Sequence, residues 1–380
     1  MRIGVPKEIK SKEYRVGLTP DGVRDLVSEG HEVNVQRGAG LGAGFLDEEY
    51  TAAGGALVDE ASELFDGSEL VVKVKEPQPG ECAMLKPGHT LFTYLHLAAD
   101  DLQTRLLLES GATCVAYETV TDASGRLPLL APMSEVAGRM AAQEAAFCLE
   151  KERGGAGVLM GGLAGVPAAN VTVIGGGVVG INAARVAAGM GASVTIMDTS
   201  PDRLRAIDEA YKGSISTLYS STSSIENRLA VSDVIIGAVL IPGAEAPKLI
   251  TRDMLKHMKP GSVLVDVAID QGGCFETSRP TTHAEPVFIV DGIVHYCVAN
   301  MPGAVPRSST AALTNATLPY IKRLASGVKS SLLQDPYFLA GLNLHRGVVT
   351  NEAVASAQGL SFVDPAEALQ NDKPTLSVSA

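Results

Sequence analysis

The sequence predicts an α/β protein of two domains, each built around a doubly wound parallel sheet. Its 380 residues exceed what one hydrophobic core usually organises, so two domains are the default expectation. Short apolar runs rich in β-branched residues alternate with helical segments along most of the chain, which is typical of consecutive βαβ units. Near the middle, the run at residues 170–174 leads through a glycine-rich turn into an alanine-rich helix at 181–190.

Composition narrows the function classes. A formal net charge of −12 argues against a nucleic-acid or anionic-membrane surface, although local basic groups could still bind an anionic substrate. No apolar run approaches the ~20 residues that cross a bilayer, and Met1 leads directly into the first predicted strand, so we expect no signal peptide. The cysteines form neither a C-x-x-C pair nor a zinc spacing with histidine, which favours buried thiols and a reducing, cytoplasmic setting. They are Cys82, Cys114, Cys148, Cys274 and Cys297.

The first array of elements occupies residues 1 to about 128. Strands are predicted at 3–5, 31–36, 57–58, 70–75, 90–95 and 112–117, with helices at 47–53 and 100–109 between some of them. Thr19 and Pro20 form a capped start for a further helix at 21–28, which Gly30 ends. Strands that alternate with helices in this way predict a parallel sheet.

A long helix at 134–152 bridges to the second array. Strands follow at 171–174, 192–197, 234–238 and 263–269, and Asp291-Gly292 predicts a hairpin between 287–290 and 293–298. Helices at 311–325, kinked at Pro319, and near 337–342 and 351–358 are expected to rejoin the first domain by fold analogy. The predicted domains are therefore 1–128 plus 307–380, and 129–306, with a cleft between them. The tail after Ser361 reads as frayed.

The glycine-rich turn predicts a dinucleotide site. Gly175, Gly177 and Gly180 have the G-x-G-x-x-G spacing: a tight turn, close approach to a pyrophosphate, and close packing of helix on strand. The helix that follows presents its N-terminus to the phosphate. Asp198 ends the next strand, where an acid can bind the ribose hydroxyls of NAD and repel the 2′-phosphate of NADP. Strand, helix and acid together predict a Rossmann-like domain, against the alternative of a glycine-rich turn in an unrelated α/β protein.

Four polar residues stand at the ends of predicted strands or in loops, where a parallel sheet collects its ligands. They are Arg15, Lys75, His96 and Asp270. Each also has a simpler interpretation: a lone strand-end histidine is more often structural, Lys73 and Lys75 share a strand face and could be solvated, Arg15 could be surface charge, and Asp270 could cap a turn.

Together, these four side chains could perform one reaction. A guanidinium can clamp a carboxylate through two hydrogen bonds, and an ammonium can polarise a carbonyl or imine-precursor oxygen. Imidazole carries protons near neutral pH, and a carboxylate can orient water or ammonia and balance an iminium cation. The sequence alone does not determine how close they lie.

Longer motifs make the chain resemble the bacterial alanine dehydrogenase family, which is itself similar to the NAD-binding subunit of proton-translocating transhydrogenase. Besides the glycine loop, they are RIGVPKE at 2–8, EYRV at 13–16, VKEP at 74–77, YLHL at 94–97, MSEVAG at 133–138, DVAIDQGG at 266–273 and VANMPGAVP at 298–306. The resemblance covers nearly everything before the tail.

The resemblance implies reversible conversion of L-alanine, NAD⁺ and water to pyruvate, ammonium and NADH by a homohexamer whose domains close. It implies that Arg15 and Lys75 hold the substrate, that His96 is the general acid/base, and that Asp270 positions water or ammonia. The implied cofactor-binding residues are Ser134, Gly175, Gly177, Val178, Val179, Gly180, Asp198, Arg203, Ser220, Val239, Leu240, Val267, Ala268, Ile269, Asp270, Arg279, Val298, Ala299, Asn300 and Met301.

Two details qualify the resemblance. Arg203 could weaken discrimination against the 2′-phosphate of NADP, although Asp198 is the more direct determinant. Some relatives carry a metal-binding acid and histidine in the helix after Pro306, but residues 318–327 have neither here, so we predict no metal. The alternatives are a transhydrogenase NAD-binding subunit, a lysine or opine dehydrogenase, and a non-catalytic NAD(H)-sensing module.

Overall fold

The computed structural model describes residues 1–239 and 246–371, and contacts divide the chain into two units. Unit 1 combines Met1–Pro132 with Val305–Ala380, and unit 2 is Met133–Ala304. The sequence prediction puts the corresponding boundaries after residues 128 and 306. Unit 1 is discontinuous in sequence because the chain leaves it once and returns.

The first part of unit 1 alternates strands and helices. Its elements are β1 (Arg2–Val5), α1 (Pro20–Ser28), β2 (Glu32–Gln36), α2 (Asp47–Ala52), β3 (Ala56–Val58), α3 (Ala61–Asp66), β4 (Leu70–Val72), α4 (Pro79–Cys82), β5 (Thr90–Thr93), α5 (Asp101–Ser110) and β6 (Thr113–Ala116). Helix α1 begins as predicted, because Thr19 Oγ1 accepts the Gly22 N–H at 3.3 Å and Pro20 occupies the first turn. Strands β4, β5 and β6 are buried at every position, as expected for central strands of a sheet covered on both faces.

Unit 2 begins within the first turn of the long helix α6 (Ala131–Cys148). Its elements are β7 (Asn170–Ile174), α7 (Val178–Gly189), β8 (Ser193–Asp198), α8 (Pro201–Tyr211), β9 (Ser216–Tyr219), α9 (Thr222–Leu229), β10 (Val234–Gly237), β11 (Val263–Asp266), β12 (Val287–Val290) and β13 (Ile293–Tyr296). Among the described residues, the strand order is β12-β13-β11-β10-β7-β8-β9. The chain runs from β7 to β8 on one side and continues to β10 on the other. The switch point, where such folds bind nucleotides, therefore lies between β7 and β10.

The C-terminal part of unit 1 completes its sheet. It contains α10 (Pro306–Ser326), α11 (Val328–Leu333), α12 (Pro336–Leu339), β14 (Leu342–His345), β15 (Val348–Val349), α13 (Glu352–Gln358) and α14 (Pro365–Gln370). Among the described residues, the sheet order is β15-β14-β6-β5-β4-β1-β2-β3. Each unit packs its own apolar core, one around Phe65, Leu91 and Leu107 and the other around Ile235, Leu264 and Phe275.

Both sheets are mainly parallel with antiparallel edges. The Asp291-Gly292 hairpin forms as predicted, with β12 antiparallel to β13. Strand β14 is antiparallel to β6. This strand is not predicted from the sequence, where a helix is predicted up to residue 342 instead. The prediction of a frayed tail after Ser361 is also wrong for residues up to 370, because Phe362 bridges to Val349 and the Asp364 carboxylate caps α14. No helix among the described residues has the length and apolar character of a membrane span.

Candidate active site

Arg15 lies in the loop after β1 with only 2% of its surface exposed, so the surface-charge interpretation is wrong. Glu13 holds its guanidinium from one side, accepting Nε–H at 2.7 Å and Nη2–H at 2.6 Å. Burial alone would lower the pKa of Arg15, but the hydrogen bonds and charge of Glu13 outweigh it and raise the pKa above its ordinary value. The side chain is therefore charged and oriented before any ligand arrives.

Lys75 follows β4, which ends at Val72 rather than at residue 75 as the sequence predicts. The lysine is half-buried, and its carbonyl accepts a hydrogen bond from Thr93 Oγ1 at 3.0 Å. Lys75 acts electrostatically on the carboxyl group of Glu76. Burial would raise the pKa of Glu76, but Lys75 and Lys10 lower it below the ordinary value.

A buried ion triad of Glu8, Lys73 and Glu81 fixes the chain next to Lys75. Lys73 is fully buried rather than solvated, and its ammonium donates to Glu81 at 2.7 Å and to Glu8 at 3.1 Å. Glu8 also accepts the Val74 N–H at 2.7 Å. Burial would lower the pKa of Lys73, but the two carboxylates raise it above its ordinary value. Burial raises the pKa of Glu8 despite its contact with Lys73.

His96 follows β5 in a left-handed backbone conformation, with φ of 55°, which side-chain-bearing residues rarely adopt. Its backbone N–H donates to the Glu118 carboxylate at 2.6 Å, and the Leu95 N–H donates to the same group at 3.1 Å. The imidazole stacks on Tyr94 with ring centroids 5.9 Å apart, and its Nδ1 lies 3.8 Å from Glu118 Oε1. About half of the side chain is exposed. Such strain at an accessible polar residue is typical of functional positions.

Strand order brings these three positions to one edge of the unit 1 sheet. Strands β5, β4 and β1 are neighbours and run parallel, so their carboxyl ends meet there. His96, Lys75 and Arg15 follow these strands in the same order. Two groups of one substrate could therefore be bound at this edge beside a proton carrier.

In the glycine loop of unit 2, each of the three motif positions favours glycine for a different reason. Gly175 has φ of 106°, and a Cβ there would stand 2.5 Å from the Ala238 carbonyl oxygen at the end of β10. A Cβ on Gly180 would stand 1.8 Å from the Gly175 carbonyl oxygen. Around Gly177 no atom of the described residues lies within 4 Å of a Cβ position. That open space, at the N-terminus of the 12-residue α7, fits close approach by a pyrophosphate.

Asp198 ends β8 and connects the parts of the predicted ribose site. Its carboxylate accepts the Gly176 N–H at 2.7 Å and the Ser200 N–H at 2.8 Å. Arg203 Nε donates to the Gly176 carbonyl, and the Ser220 N–H donates to the Asp198 carbonyl at 2.9 Å. Hydrogen bonds therefore connect the predicted residues. Asp198 and Arg203 both bind Gly176 of the glycine loop, and Ser220 binds Asp198.

Asp270 lies in the loop after β11 and is exposed. Val267, in the same loop, donates its N–H to the Gly237 carbonyl at 3.0 Å, which brings this loop to the end of β10. Farther along, the guanidinium of Arg279 lies 4.2 Å above the centre of the Phe288 ring. The structure places Asp270 in unit 2 and the other three candidate side chains in unit 1.

The remaining predicted cofactor residues also lie mostly in unit 2. Val298 bridges to Thr281, and Asn300 has a left-handed φ of 58° with its carbonyl 3.2 Å from His283 Nε2. Ser134 is in the first turns of α6, and Val239 follows β10. Leu240 lies outside the described residues.

Sequence reasoning missed the buried or half-buried carboxylates that support these side chains and their neighbours. They are Glu8, Glu81, Glu118 and Asp266, the last of which accepts several hydrogen bonds within the loop of Asp270. Lys73 within the apolar run at 70–75 is a signal for the first two, because a buried charge needs partners. Glu118 and Asp266 follow or end strands, but nothing in the sequence indicates what they bind.

The residues of unit 2 fit a dinucleotide: an open glycine loop, a helix N-terminus and a carboxylate at the end of the adjacent strand. Among the described residues, no group of three or more His, Cys, Asp or Glu side chains is arranged to hold a metal ion.

Comparisons with known proteins cover nearly the whole chain. Residues 4–137 match the family model Alanine dehydrogenase/PNT, N-terminal domain, and residues 141–352 match Alanine dehydrogenase/PNT, C-terminal domain. The alanine dehydrogenase of Halomonas elongata is 61% identical over 367 residues, covering 96% of this chain and 99% of that protein. A solved structure named L-alanine dehydrogenase has a TM-score of 0.91 at 47% identity, covering 94% of this chain and 99% of that one. The crystal structure of transhydrogenase from Sinorhizobium meliloti has a TM-score of 0.79 at 26% identity, covering 93% and 100%.

Proposed function

The chain belongs to the alanine dehydrogenase/PNT family, and from that premise we propose that it is an L-alanine dehydrogenase that uses NAD. L-Alanine, NAD⁺ and water give pyruvate, ammonium, NADH and a proton, and the reaction is reversible. The observation that carries the proposal within the chain is the position of Arg15, Lys75 and His96 after three adjacent parallel strands. These residues supply a carboxylate clamp, a cation and a proton carrier at one sheet edge.

The substrate groups have distinct roles. Arg15, oriented by Glu13, binds the carboxylate of alanine or pyruvate. Lys75 places a positive charge near the carbonyl or carbinolamine oxygen and stabilises negative charge that develops there. His96 accepts the proton of the carbinolamine hydroxyl as ammonia leaves, and returns it in the reverse direction.

Asp270 positions the water that attacks the iminium carbon and balances the positive charge of that intermediate. Bound NAD⁺ supplies the acceptor for the hydride that leaves the α-carbon. Asp198 supports a preference for NAD, because its carboxylate already accepts two backbone N–H groups at the loop and would repel a 2′-phosphate. The homohexameric state remains a prediction from the family resemblance. The cytoplasmic location remains a prediction from the five free, buried cysteines.

A transhydrogenase NAD-binding subunit is the second candidate, favoured by the structural similarity to the Sinorhizobium meliloti protein. It would exchange hydride with another nucleotide and would not need an amino acid. A non-catalytic NAD(H)-sensing module would bind NADH and turn nothing over. Neither has a use for a carboxylate clamp beside a general acid/base.

The direct test is oxidation of NADH by pyruvate and ammonium, with a panel of other oxo acids for comparison. We expect turnover that requires both ammonium and the oxo acid, with pyruvate among the best substrates. Tight NADH binding without turnover would favour the sensor. Hydride exchange with a nucleotide analogue in the absence of pyruvate would favour the transhydrogenase subunit.

His96→Ala and Asp270→Ala test the proposed roles. Loss of a general acid/base lowers rates by about 10²–10⁴-fold, so we expect kcat to fall by that order while NADH still binds. His257→Ala and Asp202→Ala are matched controls, because both side chains are exposed and outside the proposed site. Near-native turnover of either test variant would refute the role of that residue.

A further inference from the structure

We propose that Asp266 is a positioning residue that holds Asp270, through the turn between them, in the orientation that the reaction needs. The inference rests on the proposed function, which makes Asp270 a catalytic residue. Asp266 is the last residue of β11 and is fully buried, so it cannot itself reach a substrate from solvent. Its effect must pass through the chain that follows it.

The Asp266 carboxylate accepts hydrogen bonds from both ends of that loop. Oδ2 accepts the N–H groups of Cys274 at 2.9 Å and Phe275 at 3.3 Å, and the Ser278 hydroxyl at 2.5 Å. Oδ1 accepts the Ala268 N–H at 3.1 Å, and the Cys274 thiol lies 3.5 Å from it. One side chain thus fixes residues 268 and 274–278, and Asp270 lies in the segment between them.

That segment is a tight turn built on Ala268. The Ala268 carbonyl accepts the N–H groups of Gln271 at 2.9 Å and Gly273 at 3.1 Å, so the residue that Asp266 holds by its N–H also closes the turn. Gly273 has φ of 75°, and a Cβ there would stand 2.7 Å from Asp266 Oδ2. The turn therefore packs directly on the carboxylate. Asp270 projects from a backbone that has little freedom to rotate.

A side chain with two acceptor oxygens suits this position, and an amide does not. Both oxygens receive donors, and a carboxylate is an acceptor at both. An asparagine would have to direct its NH₂ group at one of the two sets of donors. Either orientation leaves buried N–H groups facing another N–H, which destabilises the turn locally while preserving the volume of the side chain.

The matched control is Asp233, at the start of the neighbouring strand β10. It is also buried and also accepts a backbone N–H, from Asn170 at 2.8 Å, and it pairs with Lys259 at 2.8 Å. It lies at the amino end of the sheet, whereas Asp266 is at the carboxyl end. Asp233→Asn therefore reproduces the loss of a buried carboxylate in this sheet without touching the turn of Asp270.

We expect Asp266→Asn to lower kcat for pyruvate and ammonium at least 30-fold, with the KM for pyruvate changed less than threefold. Ser278→Ala, which removes one of the hydrogen bonds, should lower kcat about three- to tenfold. Asp233→Asn should leave kcat within threefold of the wild type, whatever it does to thermal stability. Equal kcat losses in Asp266→Asn and Asp233→Asn, or a loss confined to KM, would overturn the inference.

Hydrogen exchange gives a readout that does not depend on activity. In Asp266→Asn, or in Ser278→Ala if the first variant does not fold, peptides covering 268–275 should exchange faster than in the wild type, and those of β10 should not. Unchanged protection of 268–275 would overturn the inference. An inactive wild type with this exchange pattern would instead refute the proposed function and leave Asp266 as the residue that orders the turn.

Discussion

At the residue scale, backbone strain occurs at His96, a position whose catalytic role is proposed. A left-handed backbone at a residue other than glycine or asparagine costs roughly 1–2 kcal/mol. Glu118 offsets that cost by accepting the N–H groups of Leu95 and His96 together. Without this carboxylate, both donors at the turn would lose their partner. The strained conformation aims an exposed imidazole away from the strand rather than into the core.

The prediction at the residue scale concerns cofactor binding by Asp198. Asp198→Ala should weaken NADH binding and narrow the preference for NAD over NADP, because it removes the proposed ribose contact and the repulsion of a 2′-phosphate. Loss of a hydrogen bond to a charged group costs about 1.5–3 kcal/mol, or roughly 10- to 150-fold in affinity. Dissociation constants for NADH and NADPH, measured by fluorescence titration, give the ratio directly.

The control for this variant is Asp202→Ala, four residues away in α8, where the side chain is 91% exposed and pairs with Arg205 of the same helix. It should change neither constant. A ratio of NADH to NADPH affinity that stays at the wild-type value in Asp198→Ala would refute the ribose contact.

At the element scale, two glycines of the strand–turn–helix unit β7–α7 differ in role: one is needed for packing, and the other is proposed to serve binding. The third glycine of the motif allows the helix to begin against the turn, since its Cβ would overlap a backbone oxygen. The second has no such neighbour. The same motif therefore contains one glycine needed by the fold and one whose proposed use is the ligand.

Three alanine variants test this separation. Gly180→Ala should destabilise the protein by at least the 1–3 kcal/mol typical of overpacking, because a backbone oxygen cannot swing aside. Gly177→Ala should leave the melting temperature nearly unchanged, because φ there is −71° and the space is open, but NADH affinity should fall at least tenfold. Melting temperatures and NADH titrations on the same samples provide both measurements.

Gly189→Ala serves as the control at the other end of α7, where no atom from residues 1–239 or 246–371 lies within 4 Å of a Cβ position. Alanine is a better helix former by about 1 kcal/mol, so this variant should be as stable as the wild type or more stable, and should bind NADH normally. If Gly177→Ala kept wild-type affinity for NADH, the loop would not be the pyrophosphate site.

At the scale of the whole molecule, each unit has its own apolar core and its own polar interior. The Glu8–Lys73–Glu81 triad of unit 1 joins the segment after β1, the segment after β4, and α4. The start of the chain and a segment 65 residues further on thus depend on one buried ammonium. Removing one member of such a group costs about 3–5 kcal/mol, because it leaves the other charges buried without a partner.

Lys73→Met should therefore destabilise the protein strongly, and more at pH 8 than at pH 5. Burial already raises the pKa of Glu8, and loss of the ammonium raises it further. A carboxyl group with a raised folded-state pKa favours the folded state below its unfolded pKa and loses that contribution as pH rises through the folded value. Urea unfolding followed by circular dichroism at the two pH values measures the difference.

Lys86→Met is the matched control, since Lys86 forms an exposed pair with Asp66 in the same unit. An exposed pair contributes about 0–1 kcal/mol, so this variant should be only slightly destabilised at either pH. An equal cost of Lys73→Met at pH 5 and pH 8 would show that the buried carboxylates do not take up a proton.

Much of this protein follows from local sequence. Alternation of strands and helices predicts two mainly parallel sheets, and the spacing of Gly175, Gly177 and Gly180 predicts the turn that the structure contains. The antiparallel β14 is missed because a four-residue strand that is buried at every position has no periodicity to distinguish it from a helix end. Short segments such as α14 depend on capping contacts more than on hydrophobic pattern.

By itself, the sequence determined the fold class, the glycine turn and the residue types that the chemistry needs, because these depend on neighbours along the chain. Only the tertiary structure decided that Arg15, Lys75 and His96 follow adjacent strands, since strand order is set by packing between distant segments. It alone also revealed the carboxylates that hold Arg15, His96 and the turn of Asp270. Glu13, Glu118 and Asp266 act through hydrogen bonds whose geometry exists only after the chain has folded.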